Sequence, residues 1–182
     1  MRIIGGAWRG RRLASVGTGD TNAHLRPTTD RVRESLFNVL LSGRFGDPIS
    51  DARVLDVFAG TGALGLEALS RGAAEAVFLE NGRKAQSILQ DNLRLLNANG
   101  RIISRDARRP GPSPGTPFNL LFLDPPYGKE LGEAALGALQ SWLAQKALVV
   151  WEESAPPSIP DWLERLDQRR YGETTITICR GG

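Results

Sequence analysis

From Arg53 onward, the sequence follows one pattern, in which short apolar runs alternate with helical patterns. The apolar runs predict buried strands, because parallel strands that are covered on both faces carry nearly continuous hydrophobic residues. The runs are Val54–Phe58, Ala76–Glu80, Ile102–Ile103, Leu120–Leu123 and Ala147–Trp151, with helices predicted over 64–70, 83–97 and 130–144. Strands that alternate with helices predict an α/β fold, with a mostly parallel sheet and helices on both of its faces.

The C-terminal part, from residue 161 onward, does not follow this alternation of strands and helices. Residues 161–166 predict a short helix, and the β-branched alternation of Thr174–Cys179 predicts a last strand. A hairpin between this strand and residues 168–171 would add antiparallel pairing at one end of the sheet.

The first 46 residues form an extension of a different kind. Arg2–Leu13 predicts a hairpin with glycine turns, and residues 16–24 predict a flexible linker. Thr28 or Thr29 is expected to cap a helix, whose apolar stripe consists of Val32, Leu36, Val39 and Leu40. We therefore divide the chain into an extension, residues 1–46, and a core, residues 47–182.

Positive charge is concentrated in this extension. The 182 residues carry a net charge of +3, but residues 1–46 hold eight arginines against three acids, which leaves +5 there and −2 in the rest. Arginine forks bind phosphate with two hydrogen bonds and stack on bases, which indicates a polyanionic partner. Codon bias toward arginine is the alternative explanation of the count, but it does not explain the clustering at one end.

Other counts exclude several classes of protein. One cysteine, Cys179, cannot form an internal disulfide or a thiolate cluster, and one histidine, His24, argues against a histidine-centred metal site. No apolar run approaches the roughly 18 residues of a membrane span. We expect a cytoplasmic protein with no metal and no membrane partner, in which Cys179 packs in a strand.

A glycine-rich turn follows the first predicted strand. Gly60-Thr61-Gly62-Ala63-Leu64-Gly65 fits G-x-G-x-x-G between a strand and a helix, and Glu80 stands twenty residues beyond Gly60. The small residues allow close approach to a ligand, and the acid can accept both hydroxyls of a ribose. The motif therefore predicts a nucleoside-cofactor site, with a purely structural strand–helix turn as the alternative.

Two further acids bear on the identity of the cofactor. Asp56 precedes the glycine turn, where a carboxylate would repel the pyrophosphate of NAD but suit the ammonium of a methionine-type ligand, directly or through water. Asp106, at the predicted end of the third strand, could accept the amino group of adenine. Three acids at successive strand ends favour S-adenosylmethionine over NAD.

The fourth predicted strand leads into Asp124-Pro125-Pro126-Tyr127. The two prolines fix the backbone and leave carbonyl oxygens available as acceptors. The Asp124 carboxylate and the Pro125 carbonyl could hold the two N–H bonds of an aromatic amine and stabilise the positive charge that develops on nitrogen. Tyr127 could stack on an extruded base. These four residues are the predicted catalytic loop, and a rigid polar turn is the alternative.

Several segments together resemble one family. Arg2-Ile3-Ile4-Gly5-Gly6-x-Trp8-Arg9-Gly10-Arg11, the segment from Arg26 to Glu34, the segment from Asp56 to Gly72 and Asp124–Tyr127 all resemble the bacterial 16S rRNA guanine-N2 methyltransferases named for guanine 966. The resemblance covers nearly the whole chain. The last two motifs are shared by many amino-methyltransferases, whereas the two N-terminal motifs are specific to this family.

The resemblance implies a monomeric, Rossmann-like class I methyltransferase with a seven-stranded sheet and an N-terminal hairpin. It implies S-adenosylmethionine as the methyl donor and a guanine N2 of 16S rRNA, in the assembled or late-assembling small subunit, as the acceptor. It further implies that Glu80 binds the ribose, Asp106 the adenine and the turn from Asp56 to Gly62 the methionine end. The expected cofactor-binding residues are Asp56, Phe58, Ala59, Gly60, Thr61, Gly62, Glu80, Asn81, Asp106 and Ala107. Asn81-Gly82-Arg83 departs from the family, which more often has an aspartate two residues after the acid.

Basic residues of the extension are the predicted RNA contacts. They are Arg9, Arg11, Arg12, Arg26, Arg31 and Arg33. Arginine would bind phosphate, and Trp8 could stack on a base or sugar or pack on the core; both interpretations of Trp8 stay open. The segment Arg26–Thr29 is predicted to serve the active site or to form only the helix entry.

Three other functions remain as alternatives to guanine methylation. An adenine-N6 methyltransferase acting on DNA or RNA could use the same Asp-Pro-Pro-Tyr loop. An RNA-binding assembly factor could retain the fold without catalysis. An NAD oxidoreductase would use the glycine turn alone.

Overall fold

One seven-stranded sheet spans the part of the chain that the computed structural model describes, which is residues 1–15 and 29–182. The strands are β1 (Arg53–Val57), β2 (Glu75–Leu79), β3 (Gly100–Ile103), β4 (Phe118–Leu123), β5 (Leu143–Glu153), β6 (Leu163–Tyr171) and β7 (Thr174–Gly181). Their order is β3-β2-β1-β4-β5-β7-β6. Strand β7 runs antiparallel to β5 and β6, and the pairs among β1 to β5 are parallel. The predicted α/β fold with an antiparallel end is confirmed.

Helices cover the two faces of the sheet unequally. They are α1 (Asp30–Leu40), α2 (Ala63–Ser70), α3 (Arg83–Leu96) and α4 (Leu131–Leu139). Residues of α1, α2 and α3 share one buried cluster with Val54, Phe78 and Phe122. Residues of α4 share a second cluster with Leu55 and Val57. Because neighbouring residues of a strand face opposite sides, β1 feeds both clusters.

Local signals account for the ends of several elements. Thr29 caps α1, because its Oγ1 accepts a hydrogen bond of 3.3 Å from the Val32 N–H. Helix α3 ends at Asn97, which adopts the left-handed conformation common at helix C-termini. Strands β3 and β4 are joined by a loop over 104–117, which packs Ala107 into the second cluster. The Trp142 indole donates a hydrogen bond of 3.2 Å to the Gly111 carbonyl and fastens this loop.

Three predicted boundaries were wrong. The helix expected over 161–166 is absent, because residues from Leu163 onward form β6, which pairs with β7 along nearly its whole length. The helix expected over 130–144 covers Leu131–Leu139 and continues only as a 3₁₀ turn to Trp142. Strand β5 therefore starts at Leu143, with an irregular register against β4 near Lys146, whose φ is 62°.

The N-terminal residues 1–15, called the arm below, form the expected hairpin around a short 3₁₀ turn at Gly6–Trp8. Arg2 and Arg12 form an antiparallel bridge, and the Ile3 N–H donates to the Arg11 carbonyl at 2.9 Å. The buried side chain of Ile3 joins the first core cluster, so the arm packs on the core. A division of the chain at residue 46 stays a prediction.

Helix α2 binds the arm through two polar side chains. The Glu67 carboxylate accepts hydrogen bonds of 2.8 Å from the N–H groups of Ile4 and Gly5. The Ser70 hydroxyl accepts from the Trp8 N–H and donates to the Gly5 carbonyl. Gly6 (φ +76°) lies so close that a Cβ atom would stand 1.8 Å from the Ser70 carbonyl oxygen, so only glycine fits.

Membrane insertion has no support in the described ranges, since none of their helices combines the length and the apolar character that crossing a bilayer requires.

Candidate active site

Three predicted site residues follow adjacent strands at the carboxyl edge of the sheet. Val57, the last residue of β1, pairs with Leu79 of β2 on one side and with Leu123 of β4 on the other. Phe58, Glu80 and Asp124 are the next residues of those strands. Neighbouring strands are about 4.8 Å apart, so the backbones of Glu80 and Asp124 are about 10 Å from each other, across β1. The chain order reverses here, between β1 and β4, which is where open α/β sheets bind ligands.

Backbone strain marks the start of the glycine turn. Phe58 has a φ of 58°, in the left-handed region that bulky residues rarely adopt. The N–H of Phe58 donates to the Leu79 carbonyl at 3.0 Å, which ties the strained residue to β2. Gly60 and Gly62 follow with φ of 56° and 80°. Strained non-glycine residues persist where the surrounding structure holds them, often at functional sites.

Glu80 braces the turn with its carboxylate. One oxygen accepts a hydrogen bond of 2.9 Å from the Gly60 N–H, and the other accepts one of 2.7 Å from the Gly82 N–H. An ionised carboxylate offers about four acceptor sites, so each oxygen retains one. Glu80 can therefore hold the turn and still accept the hydroxyls of a ribose.

Three N–H groups of the glycine turn and of the first turn of α2 have partners inside the protein. Gly60 donates to Glu80, Gly62 donates to the Ala59 carbonyl at 2.7 Å, and Gly65 donates to Asp56 Oδ2 at 2.8 Å. A pyrophosphate needs unsatisfied N–H groups at a helix N-terminus. These three donors are occupied, so the turn offers fewer N–H groups to a phosphate than an open helix N-terminus, which favours a ligand without phosphate.

Asp56 is almost completely buried, and the expectation that it binds the methionine end of the cofactor, directly or through water, stays a prediction. The residue is 2% exposed, and its side chain points under the turn, where it accepts the Gly65 N–H inside the first turn of α2. Burial raises the pKa of Asp56 to about 8, and the nearby Glu80 carboxylate contributes to the rise. Asp56 therefore shapes the glycine turn from below.

Asp106 is held by a neighbouring cation. Its carboxylate forms an ion pair with Arg108 at 2.7 Å and also accepts the Arg108 N–H. These contacts hold the pKa of Asp106 below its usual value. Asp106 lies three residues beyond the end of β3, on a partly exposed loop. An adenine amino group would share this carboxylate with Arg108.

The remaining predicted cofactor residues line the same edge. Ala59 and Asn81 are accessible, and Ala107 is buried beneath the loop that carries Asp106. Thr61 is 8% exposed, and its carbonyl accepts a hydrogen bond of 3.0 Å from the Asn92 side chain of α3.

The Asp124–Tyr127 loop stands on the other side of β1. The Asp124 N–H lies 3.4 Å from the Val57 carbonyl, so the loop begins as a continuation of the sheet pairing. Pro125 is buried, while Asp124, Pro126 and Tyr127 are partly exposed. The Tyr127 hydroxyl lies 3.0 Å from Glu152 Oε1 and 3.1 Å from Thr174 Oγ1. The loop thus presents a carboxylate and a tethered aromatic ring at the edge.

Sequence reasoning missed the residues that support the site from behind. Glu152 and Thr174, on β5 and β7, hold the tyrosine hydroxyl. Asn92 is fully buried and bonds both to Thr61 and to the Ala14 backbone at the end of the arm. A carboxylate at the end of the apolar run 147–151, and an asparagine within the stripe of α3, were available signals.

The predicted RNA-binding arginines divide into two groups. Arg33 is wrong as an RNA contact, because it is completely buried, donates to the Arg2 carbonyl and pairs with Asp30 at 2.9 Å. Its Nε also lies 3.6 Å from the buried Glu67 carboxylate. The exposed members are Arg9, Arg11, Arg12 and Arg31, whereas Arg26, like His24, lies outside the described residues. Arg11 also donates to the Leu95 carbonyl at the C-terminal end of α3.

The structure also shows the surroundings of Trp8, for which two interpretations stayed open, and of Cys179, which was predicted to pack in a strand. Trp8 is partly buried and packs against the first core cluster. Cys179 is fully buried in β7, and burial raises the pKa of its thiol to about 11, as suits a packed strand residue.

Two surface cavities, of about 320 and 360 Å³, lie at the opposite edge of the sheet. They are lined by residues at the amino ends of the parallel strands, among them Arg53, Glu75 and Asn119. Neither contains a predicted site residue, so the candidate site is the carboxyl edge.

Known proteins resemble this chain over nearly all of its length. A family model described as "Conserved hypothetical protein 95" matches residues 1–180. Ribosomal RNA small subunit methyltransferase D of Escherichia coli K12 is 45% identical over 166 residues, covering 88% of this chain and 79% of the relative. The Haemophilus influenzae protein of that name is 38% identical over 161 residues, covering 84% and 78%. A solved structure named "Putative methyltransferase yhhF from Escherichia coli" has a TM-score of 0.84 and 40% identity, covering 100% of this chain and 97% of its own. These matches confirm the resemblance seen in the motifs, and the chain belongs to the family described as conserved hypothetical protein 95, together with ribosomal RNA small subunit methyltransferase D.

Proposed function

We propose that the protein transfers a methyl group from S-adenosylmethionine to the exocyclic N2 amine of a guanine in 16S rRNA of the small ribosomal subunit. The observation that carries this proposal is the placement of two loops on either side of β1. The Glu80-braced glycine turn suits a nucleoside without phosphate, and the Asp124 loop offers acceptors to an amine about 10 Å away across the sheet.

The residues of the edge fit this cofactor. Glu80 has acceptor sites left for ribose hydroxyls, and Asp106 offers a carboxylate for the adenine amino group. The turn from Phe58 to Gly62 would lie along the methionine end, supported by Asp56 from below. When bound, S-adenosylmethionine supplies an electrophilic methyl group on a sulfonium centre.

The Asp124 loop performs the other half of the proposed reaction. The lone pair of an aromatic amine is delocalised into its ring, so the amine attacks poorly. The Asp124 carboxylate and the Pro125 carbonyl would accept its two N–H bonds and stabilise the charge that develops on nitrogen. Tyr127 would stack on the base and fix its plane. The amine nitrogen would gain the bond to carbon as the carbon–sulfur bond breaks, and the methylated amine would release its proton to Asp124 or to water. Positioning would supply most of the acceleration.

An rRNA substrate is supported by the printed names of the relatives and by the exposed arginines of the arm. The small-subunit context, the guanine and its N2 atom are carried over from the family resemblance. A monomer that works in the cytoplasm without a metal ion completes the proposal.

The direct test is methyl transfer from labelled S-adenosylmethionine to small subunits that lack the modification, and to naked 16S rRNA, followed by nucleoside analysis. N2-methylguanine is the expected product. N6-methyladenine would favour the alternative amino-methyltransferase, and an absence of label in either nucleoside would contradict the proposal. Calorimetry with S-adenosylhomocysteine and NADH separates the two cofactors, and binding of NADH alone would overturn the cofactor assignment.

A substitution tests the catalytic loop. Asp124→Ala should lower kcat by about 100-fold, the typical cost of removing a group that stabilises transition-state charge. The affinity for S-adenosylhomocysteine should stay within about twofold, because the glycine turn is unchanged. Asp91→Ala, at an exposed position on α3, is the control. Unchanged turnover by Asp124→Ala would instead indicate a protein that binds RNA without catalysing methylation.

A further inference from the structure

The tyrosine of the catalytic loop is tethered to two strands, β5 and β7, which lie on the side of β4 away from the glycine turn. Its hydroxyl lies 3.0 Å from Glu152 Oε1 on β5 and 3.1 Å from Thr174 Oγ1 on β7. Strands β5 and β7 pair directly, with Glu152 opposite Ile176. The two partners are therefore fixed relative to each other, and they hold the hydroxyl from two sides.

Burial makes this tether stronger than a surface contact. Glu152 is only 4% exposed, although carboxylates are seldom buried without a functional or structural partner. Burial also raises the pKa of Tyr127, so its hydroxyl stays protonated and donates to Glu152 across the physiological range. A hydrogen bond in a poorly solvated position is electrostatically stronger than one exposed to water.

The backbone of the loop is restricted on the N-terminal side of the tyrosine. Pro125 and Pro126 restrict the backbone, and the Asp124 N–H follows the pairing of β4 with β1. Gly128, with φ of 72°, comes directly after the tyrosine and adopts the left-handed conformation that glycine accepts without strain. The hydroxyl tether fixes the far end of the ring.

We propose that Glu152 and Thr174 are positioning residues that hold the Tyr127 ring as a fixed wall for the target base. This inference rests on the proposed function, since it concerns the orientation of the base whose amine is methylated. The target base then meets a preset surface and has its amine aligned with Asp124. Without the tether the ring swings, and bound bases adopt unproductive orientations.

Kinetics distinguish this role from a general contribution to the fold. The affinity of a large RNA depends mainly on phosphate contacts away from the flipped base, so KM for RNA should change less than about threefold. Loss of base alignment should appear in kcat, with a decrease of about tenfold, within the range that a base–aromatic stack is worth.

The experiment compares Glu152→Ala, Glu152→Gln and Tyr127→Phe with wild type, using the complete chain and small subunits as substrate. Glu152→Ala and Tyr127→Phe should each lower kcat about tenfold, with unchanged stoichiometry and affinity for S-adenosylhomocysteine. Glu152→Gln should recover most of the activity, because its carbonyl can accept the same hydrogen bond. The double variant Tyr127→Phe with Glu152→Ala should be no slower than either single variant.

Glu153→Ala is the matched control, since Glu153 is the next residue on β5 and, within residues 1–15 and 29–182, its side chain bonds only to Ser154. Wild-type activity in Glu152→Ala would overturn the positioning role, as would an equal defect in Glu152→Gln. A parallel loss of S-adenosylhomocysteine binding would mean that Glu152 supports the fold only. Wild-type protein that methylates no guanine would instead overturn the proposed function, and the positioning role with it.

Discussion

The direction of single side chains determines what the carboxyl edge of the sheet can bind. Asp56 shows that a sequence motif does not predict this direction. An acid four residues before a glycine turn favours a cationic nucleoside when its side chain is assumed to face the ligand. In the structure it lies beneath the turn and accepts the Gly65 N–H. The pattern of residue types is the same in both arrangements, so the direction of a side chain at a strand end could not be predicted from it.

The burial of Asp56 predicts a pH-dependent stability. The carboxyl ionises near pH 4 in the unfolded chain but only near pH 8 in the folded protein. Between these values the folded state binds the additional proton, so its stability falls as pH rises and levels off above about pH 8. Asp56→Asn lacks this titration. The free energy of unfolding of wild type relative to Asp56→Asn should therefore fall by about 2–4 kcal/mol from pH 5 to pH 8. Urea titrations measure it, and a constant difference would contradict the account.

Arg33 should behave as a structural residue. It is completely buried between Asp30, Glu67 and the arm, so Arg33→Ala removes the cation beside the buried Glu67 carboxylate and the donor to the Arg2 carbonyl, and should cost about 3 kcal/mol of unfolding free energy. RNA affinity at a temperature where the variant is folded should stay near wild type. Arg31→Ala, on the exposed side of the same helix, should show no more than about 0.5 kcal/mol of destabilisation. Equal stabilities of the two variants would refute the assignment.

At the scale of elements, the arm and the glycine turn are joined by one amide. The Asn92 side chain accepts the Ala14 N–H at 2.7 Å and donates to the carbonyls of Ala14 and Thr61. Helix α2 adds a second connection, since Glu67 and Ser70 bind the arm and the same helix begins at the turn. The arm therefore helps to hold the glycine turn of the proposed cofactor site in place.

Removing the amide should loosen the turn. Asn92→Ala leaves the buried Thr61 carbonyl and two backbone groups of the exposed Ala14 without this partner, which should lower the unfolding free energy by about 1–3 kcal/mol and weaken S-adenosylhomocysteine binding about fivefold. Asn99→Ala is the control, because Asn99 caps the Ala74 carbonyl at the amino edge of the sheet. Calorimetry measures the affinity, and an identical loss in both variants would exclude a specific link to the turn.

The same scale shows why some elements could be predicted and others not. Strands β1, β2 and β4 lie in the interior of the sheet, so their apolar runs are continuous and their ends were predicted to within two residues. Strand β6 is an edge strand with exposed Glu164, Arg165 and Arg169, and the spacing of Leu163 and Leu166 is compatible with a helix. The hairpin partner decides its conformation, and pairing over that distance is invisible in local periodicity.

On the scale of the described molecule, exposed arginines of the arm lie away from the carboxyl edge of the sheet. The hairpin tip of the arm reaches Ser70, at the end of α2 that lies away from the glycine turn. An eight-residue helix rises about 12 Å, so Arg9 and Arg11 lie well below the carboxyl edge. If the arm binds RNA as we propose, the RNA must extend down the face formed by α2 and α3, beyond the flipped base.

This arrangement predicts that arm arginines contribute affinity and salt dependence but not chemistry. Arg9→Ala with Arg11→Ala should reduce the slope of log K against log salt by about 1 to 2 and leave kcat at saturating RNA unchanged. Arg165→Ala, on the exposed edge strand β6, is the control. An unchanged slope would show that both arginines are exposed to solvent without binding RNA.

The central claim is that this edge of the sheet methylates one guanine at N2, and mapping of 16S rRNA modification in cells tests it most directly. Mass spectrometry of rRNA from cells that lack the protein should show the loss of one N2-methylguanine. The wild-type chain should restore it, and the Asp124→Ala chain should not. An unchanged set of methylguanines, or the loss of a methyladenine in its place, would contradict the account.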